Sequence, residues 1–377
     1  MAFRADLKLM CLCLASLLMI PAGGQAEPLG RDVVMAQIGR GQQEFQAGQF
    51  EKAYTRFRWL LFNDTANPNR SDVYQNTLAA IRTENPLTFG VALTLLPSSN
   101  VQRSSSQETF HTDIGDFTIG DPEADKSGMG LRFDGSATVT HAYTPGRELS
   151  ARLSLGTSIY TAKELISNST SLWVTHSWLE PGALYSLSAF VSDTQYKDID
   201  GRSSPDSRSK GISTSAAFAL SDRNVVNLSL AVQNRDYHAR NYMDGPVLNL
   251  RAAYKRRLTP QDTLSINMDL EASDTKSDPY AYKSIGLEAQ YSHITQKGLV
   301  WDLSYKSILR DYEGTFVALP YAREDRVHDV TFGASYDKIT VWDTVPRLSC
   351  TLRDHGSNVA LYDYNAVDCA LSFRRDF

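Results

Sequence analysis

The chain has 377 residues, 42% of them hydrophobic and 21% charged, with a formal net charge of −5. These proportions exclude a disordered chain, and the acidic balance argues against a nucleic-acid partner. No stretch after residue 26 reaches the roughly 18 apolar residues of a membrane-spanning helix. The mean hydropathy of −0.32 still leaves room for a membrane β-barrel, because alternating strands average to a soluble-looking value.

Arg4 and Lys8 precede the apolar run Leu9 to Ala22, and Gly24-Gln25-Ala26 supplies small residues at a cleavage position. The run is too short to span a bilayer, so residues 1–26 read as a secretory signal peptide. Cleavage there removes Cys11 and Cys13 and leaves Cys350 and Cys369 in an oxidising compartment.

Residues 27–84 read as a small helical domain. Gly41, Gly48, Phe50, Ala53, Phe57 and Leu60 fall in the frame of one tetratricopeptide-like repeat. Small Gly41 and Ala53 let two antiparallel helices approach, while Phe50, Phe57 and Leu60 fill the space between them. Asn63, Asp64, Asn67 and Pro68 break the second helix, and Asp72 to Arg82 form a third. One repeat builds no solenoid groove, so the domain is either a cap or plug for the rest of the chain or a partner-binding module. Glu84-Asn85-Pro86 ends the helical region.

From residue 85 to 377 the period becomes two. Leu264, Ile266, Met268 and Leu270 alternate with Ser265, Asn267, Asp269 and Glu271. Leu299, Trp301, Leu303 and Tyr305 alternate with Val300, Asp302 and Ser304, and similar runs start at Val226 and Val330. Each such strand has one apolar and one polar face. A soluble sandwich alternates equally well, so the connections decide. Short turns at 144–146, 180–182, 221–224, 259–262, 295–298 and 340–343 are interleaved with longer polar loops, including 98–128, 197–210, 238–245 and 313–325. That rhythm predicts a mainly β protein, an antiparallel transmembrane β-barrel of about fourteen strands, in contact with outer-membrane lipid.

Aromatic residues near strand ends (Tyr143, Tyr160, Trp178, Tyr254, Tyr291, Tyr312) suit interfacial girdles. Charged residues such as Arg152, Arg251, Asp269, Glu271, Glu288, Lys306, Arg347 and Arg374 fall on the polar face, where a wet or salt-bridged interior can hold them. The last strand ends in Phe377, which resembles the signal that bacterial outer-membrane proteins present to the barrel insertion machinery. Pairing the last two strands about positions 359 and 360 sets Cys350 opposite Cys369 on the outward face. There they form a disulfide in a favourable register, or stay as two lipid-facing thiols.

No catalytic or metal site emerges, and no cofactor is implied. The seven histidines are never two, three or four residues apart, which excludes the usual local ligand spacings. His176 beside Ser177 is the adjacency expected by chance in a serine-rich chain. The loop 98–128 is the longest, and reads either as a lid or cargo contact or as a solvated loop.

Asn85-Pro86-Leu87-Thr88-Phe89-Gly90-Val91-Ala92-Leu93 leads into Leu96-Pro97-Ser98-Ser99-Asn100-Val101-Gln102-Arg103-Ser104-Ser105. Phe117-Thr118-Ile119 and Ser127-Gly128-Met129-Gly130 come next. With a repeat-bearing head and a barrel ending in Phe, this wording resembles the surface lipoprotein assembly modulator (Slam) family. The resemblance implies an outer-membrane translocation factor whose partner is a cargo lipoprotein or secreted protein, with the helical domain in the periplasm. It points to Ser99 and Asn100 as loop residues to test, and to Phe50, Phe57 and Leu60 for the integrity of the head. Family members commonly carry several repeats, where this chain shows one. The competing readings are a passive porin, for which the head has no evident use, and an adhesin or receptor acting through its outer loops.

Overall fold

A computed structural model of the chain describes residues 30–64, 68–119, 127–161, 166–197 and 206–377. The expected signal peptide lies outside the described residues, as do Asn67 and parts of the loops expected at 98–128 and 197–210.

Three helices come first: α1 (Arg31–Gln46), α2 (Phe50–Asn63) and α3 (Pro68–Glu84). The third starts a turn earlier than expected, because proline at a first helical position gives up an N–H that has no intrahelical partner anyway. Gly48 takes φ 72° in the turn between α1 and α2, a conformation that costs glycine little. A Cβ on Gly41 would lie 2.8 Å from the Phe57 ring, so the close approach of the two helices needs glycine there. Val34, Ala53, Phe57, Leu60, Leu61, Tyr74, Leu78 and Ile81 form the helical core. Phe50 sits at its margin, edge-on to Phe45. Buried Asp64 accepts two hydrogen bonds from Arg70, both 2.7 Å, and one of 2.6 Å from the Tyr74 hydroxyl. Burial, then the bond to Asp64, raises the Tyr74 phenol pKa well above its ordinary value.

The strands come after Pro86. They are β1 (Leu87–Ser98), β2 (Thr109–Thr112), β3 (Gly115–Thr118), β4 (Gly128–Thr144), β5 (Arg147–Tyr160) and β6 (Ile166–Glu180). Next come β7 (Ala183–Tyr196), β8 (Ser207–Ala219), β9 (Asn224–Tyr237), β10 (Gly245–Arg257) and β11 (Asp262–Ser273). The last are β12 (Tyr282–Ile294), β13 (Leu299–Thr315), β14 (Ala322–Tyr336), β15 (Arg347–Ser357) and β16 (Tyr364–Asp376). All except β2 and β3 form one closed barrel of 14 strands in sequence order, with β16 returning to β1 antiparallel. Closure leaves no free edge in the apolar layer, which a bilayer demands because it offers backbone groups no water. Leu149, Leu153 and Leu155 on β5, or Leu348 and Leu352 on β15, are exposed on the outer surface, while the residues of opposite parity, such as Ser154 and Thr351, face the lumen. Cys350 stands directly opposite Cys369 among the outward residues, with Cα atoms 4.1 Å apart, and the two are joined by a disulfide.

Three expectations are corrected by the register. Tyr160 and Tyr312 are not girdle residues: Tyr160 packs over lumenal Gly130, and Tyr312 pairs with Tyr282 on the inner face. Strand parity, not nearness to a strand end, decides which way a ring points. The loop after β1 is not plain polar chain, because β2 and β3 form a hairpin within it. The alternation of short turns and long loops is also not strict. The connection from β14 to β15 runs over residues 337–346, while β13 and β14 extend into the loop expected at 313–325.

The helices rest on the end of the barrel that carries the short turns. Leu179 of β6 belongs to the helical core. The Tyr54 hydroxyl donates to Glu148 at 2.8 Å, the Gln75 amide to the Leu179 carbonyl at 2.6 Å, and the Gly182 N–H to the Leu61 carbonyl at 3.2 Å. Arg82 stacks 3.7 Å over the Tyr54 ring and pairs with Glu51 at 2.5 Å. These contacts lie beneath β4 to β8. The helices therefore cap part of this rim, where they meet Glu148 and Leu179.

Candidate functional site

The lumen has two unlike walls. Along β4 to β8 many inward positions are small and hydroxylated. Ser136, Ser154, Ser171, Ser192 and Ser209 form one unbroken cross-strand row, each directly paired with the next. A parallel row runs Ser150, Thr175, Ser188, Ser213, and another Ser177, Ser186, Ser215. Neighbours exchange short bonds, Thr175 with Ser188 at 2.9 Å and Ser186 with Ser215 at 2.7 Å. Between the rows Trp173 stacks on Phe190 with centroids 4.3 Å apart. Beside Trp173, Arg152 donates to the hydroxyls of Ser154 and Ser136, both at 3.3 Å. The hydroxyl rows themselves present donors and acceptors with little bulk and no fixed charge.

From β10 to β16 the inner face is cross-braced by ions. Asp269 bridges Arg251 and Lys306, the latter at 3.6 Å. Arg347 meets Asp302 at 2.5 Å, and Arg353 holds Asp329 in a two-point pair at 2.8 and 2.7 Å. Arg323 holds Asp325 likewise at 2.8 and 2.6 Å, with His355 3.5 Å from the same carboxylate. The Asp325 side chain is 1% exposed and that of Arg323 11%. Planar guanidinium forks suit this two-point geometry, and each brace fixes two side chains that would otherwise sample the lumen. Near the closing strands, Arg132 pairs with Asp134 and Arg374 with Asp376.

The end opposite the helices is partly covered by the β2–β3 hairpin. Phe110 packs with Leu319 and Val359 from two other loops, and the Asp113 N–H donates to the Ala318 carbonyl at 3.2 Å. The Ser106 N–H donates to the Asp363 carbonyl at 2.7 Å.

The expected site residues fall in two separate places. Phe57 and Leu60 are buried in the helical core, with Phe50 at its margin. Ser99 and Asn100 begin the long loop. Ser99 donates its N–H to the Val367 carbonyl at 2.9 Å, and its hydroxyl accepts from the Val367 N–H at 2.8 Å. Asn100 is 4% exposed; its amide donates to Ser104 and Asn365 carbonyls at 2.9 and 3.2 Å and accepts from the Ser104 N–H at 2.9 Å. Both thus anchor the loop to β16. His176 and Ser177 point to opposite faces: His176 bonds the Tyr143 hydroxyl at 2.5 Å on the outer surface, and Ser177 pairs within the lumen. The serine rows are hidden in the sequence, because neighbouring members lie nine or more residues apart and only the register aligns them.

A family model described as surface lipoprotein assembly modifier matches residues 88–377. No curated protein sequence matches the chain. Among solved structures, the toluene transporter TodX of Pseudomonas putida is 9% identical with a TM-score of 0.42, over 79% of this chain and 92% of that one. OpdQ of Pseudomonas aeruginosa is 9% identical with a TM-score of 0.38, over 77% and 98%. OmpF of Salmonella typhi, solved with daunomycin, is 10% identical with a TM-score of 0.44, over 77% and 97%. At these scores the likenesses add nothing to what the strand pairing shows.

Proposed function

The chain belongs to the surface lipoprotein assembly modifier family, and from that premise we propose that it is an outer-membrane translocation factor that delivers cargo lipoproteins to the cell surface. The observation that supports this reading best is the pair of unlike lumenal walls. An extended polypeptide needs hydrogen-bonding partners that it can exchange as it slides, and rows of serine offer them without trapping charge. The ion-paired wall keeps the opposite side rigid. A bore of 14 strands is too narrow for a folded protein, so cargo passes unfolded or the barrel opens at its β1–β16 closure.

In this reading the short-turn end faces the periplasm, and the helical domain meets cargo there before it enters. Phe50, Phe57 and Leu60 keep that domain folded, and the barrel insertion machinery is a further partner of the strands. Ser99 and Asn100 hold the outer loop over the exit. The wet, charged lumen also suits passage of small solutes, which is the reading that a failed cargo test would leave.

The test is protease shaving of intact cells that express a candidate cargo lipoprotein with the barrel, without it, and with residues 31–84 deleted. Cargo that is cleaved only when the barrel is present supports translocation, provided that a periplasmic marker stays protected. Exposure unchanged by the barrel across several cargoes would end this reading, and planar-bilayer conductance would then measure the solute channel.

A further inference from the structure

A groove on the outer surface crosses the strands that close the barrel. β16, β1, β4 and β5 lie side by side, and their register places Leu93 beside Phe373, Val91 beside Gly135, and Gly135 beside Leu155. Val91 and Leu155 are exposed on the membrane-facing side, so Gly135 between them faces the same way. Gly90, Gly156, Gly211 and Gly333 instead face the lumen. A Cβ added to Gly135 would meet nothing within 4 Å. Glycine inside a strand forfeits side-chain packing, and here it leaves a depression of about 560 Å³ among large apolar neighbours.

The rim end of the groove is built by the β14–β15 connection, which folds back over β16. Val341 and Thr344 exchange both backbone hydrogen bonds at 2.9 Å. The two residues between them, Trp342 and Asp343, take φ 51° and 58°. Hairpin tips of this shape favour Asn-Gly, and a bulky side chain there is a true outlier. Such strain persists where the surroundings over-determine it, and it gathers at ligand clamps. The surroundings do so here: the Trp342 ring lies 5.7 Å from Phe373, and Arg375 donates to the Trp342 carbonyl at 3.4 Å and to Asp343 at 3.2 Å. Trp342 remains 70% exposed.

Direction and charge identify the occupant. Phe373 lies three residues from the end of β16 at Asp376, whereas Leu155 lies eight residues along β5 from Arg147. The groove therefore climbs from the barrel rim towards the middle of the apolar belt. Its ligand has a polar end at the rim and a hydrocarbon tail at depth, which is an acyl chain. Hydrophobicity alone selects nothing inside a bilayer, where lipid tails are as apolar as leucine. Selection rests on the fit around Gly135 and on the groups at the rim. There Arg375 is already neutralised by Asp343, whose side chain is 83% exposed. A phospholipid phosphate would meet that carboxylate, a like charge. The ester and amide carbonyls of a protein's lipid anchor carry no charge, and they accept hydrogen bonds from the Trp342 indole and Arg375.

We propose that this groove holds one acyl chain of the cargo lipoprotein's anchor, with the anchor's carbonyls at Trp342 and Arg375. The proposal rests on the reading of the protein as a lipoprotein translocation factor. It gives the two parts of such a cargo separate routes, the anchor along the outer wall beside β1 and β16 and the polypeptide through the lumen.

The test uses the full-length protein in phosphatidylethanolamine nanodiscs. One sample receives a diacylated lipopeptide with a photoreactive acyl chain, the other a phosphatidylethanolamine with the same chain, and cross-linked peptides are mapped by mass spectrometry. The lipopeptide is expected to label the segments around Val91 and Leu155. Gly135→Leu, which the open space admits, is expected to cut that labelling about tenfold, with Trp342→Ala giving a smaller loss. Heat-modifiable gel migration verifies that both variants are folded barrels. Equal labelling by the phospholipid probe, or lipopeptide labelling untouched by Gly135→Leu, overturns the proposal. In cells, cargo exposure that needs the barrel but ignores Gly135→Leu overturns it and leaves the translocation reading standing. Exposure that ignores the whole barrel removes that reading, and the proposal with it.

Discussion

The two lumenal walls share one backbone geometry and differ in what their inward residues do. On β5 to β8 most of these residues are small and hydroxylated, and some bond to one another, as in the pair Thr175 and Ser188. On β10 to β15 they are long and locked in ion pairs, as in Arg353 with Asp329. The difference teaches that one barrel can be stiff on one side and permissive on the other without a change of strand pairing. The helices add a second asymmetry, since they dock beneath the permissive half through Tyr54, Gln75 and Leu61.

Removing a partner from the braced wall should produce the largest effect. Asp325→Ala leaves the nearly buried Arg323 guanidinium uncompensated and is expected to cost about 3–5 kcal/mol. Ser188→Ala on the other wall is expected to stay within about 1 kcal/mol. Urea unfolding of both variants in liposomes measures the contrast, and equal losses would erase it. Tyr54→Phe comes next. It strips the hydroxyl from buried Glu148 and should loosen the docking of the helices by about 1–3 kcal/mol, seen as faster hydrogen exchange around Leu179 and Leu61.

Ser171→Arg sharpens the comparison without touching stability. A long cation in the middle of the serine row is expected to lower cargo exposure about tenfold while the unfolding curve stays in place. An unchanged cargo signal would mean that the permissive wall is not on the route.

The smallest effect belongs to the helical domain and tracks pH. A hydrogen bond from Arg56 lowers the Glu44 pKa below its ordinary value. A carboxylate with a depressed folded pKa stabilises the fold above its unfolded pKa, and that contribution disappears as pH falls through the folded value. Solvent screens a helix-surface pair, so the loss on acidification below the usual carboxylate range should be a few tenths of a kcal/mol. Arg56→Gln should abolish that part of the pH dependence in circular dichroism of the full-length protein.

Periodicity is a local property, and it is legible in the chain. The switch from helical spacing around Phe50, Ala53, Phe57 and Leu60 to strict alternation after Leu87 marks the two kinds of structure, and the parity of Arg251, Asp269 and Lys306 marks the inner face. Orientation fails at Tyr160 and Tyr312, where nearness to a strand end misleads and strand parity decides. The loop after β1 reads as polar chain because the few apolar residues of its hairpin, such as Phe110, pack on Leu319 and Val359 more than 200 residues away. Trp342 gives no signal either, since a left-handed φ at a bulky residue is imposed by contacts that the sequence does not display.

Residue spacing along the chain specifies the helical start, the number and alternation of the strands, and the acidic, membrane-compatible character of the protein. These come from local spacing and from the demand that each backbone group be paired within a closed barrel. Long-range pairing sets which serines line up, which ions brace each other, where the helices dock, and that Gly135, Phe373 and Trp342 meet at one groove. Cross-strand register and rim packing join residues far apart in the chain, and their partners are fixed only once the barrel has closed.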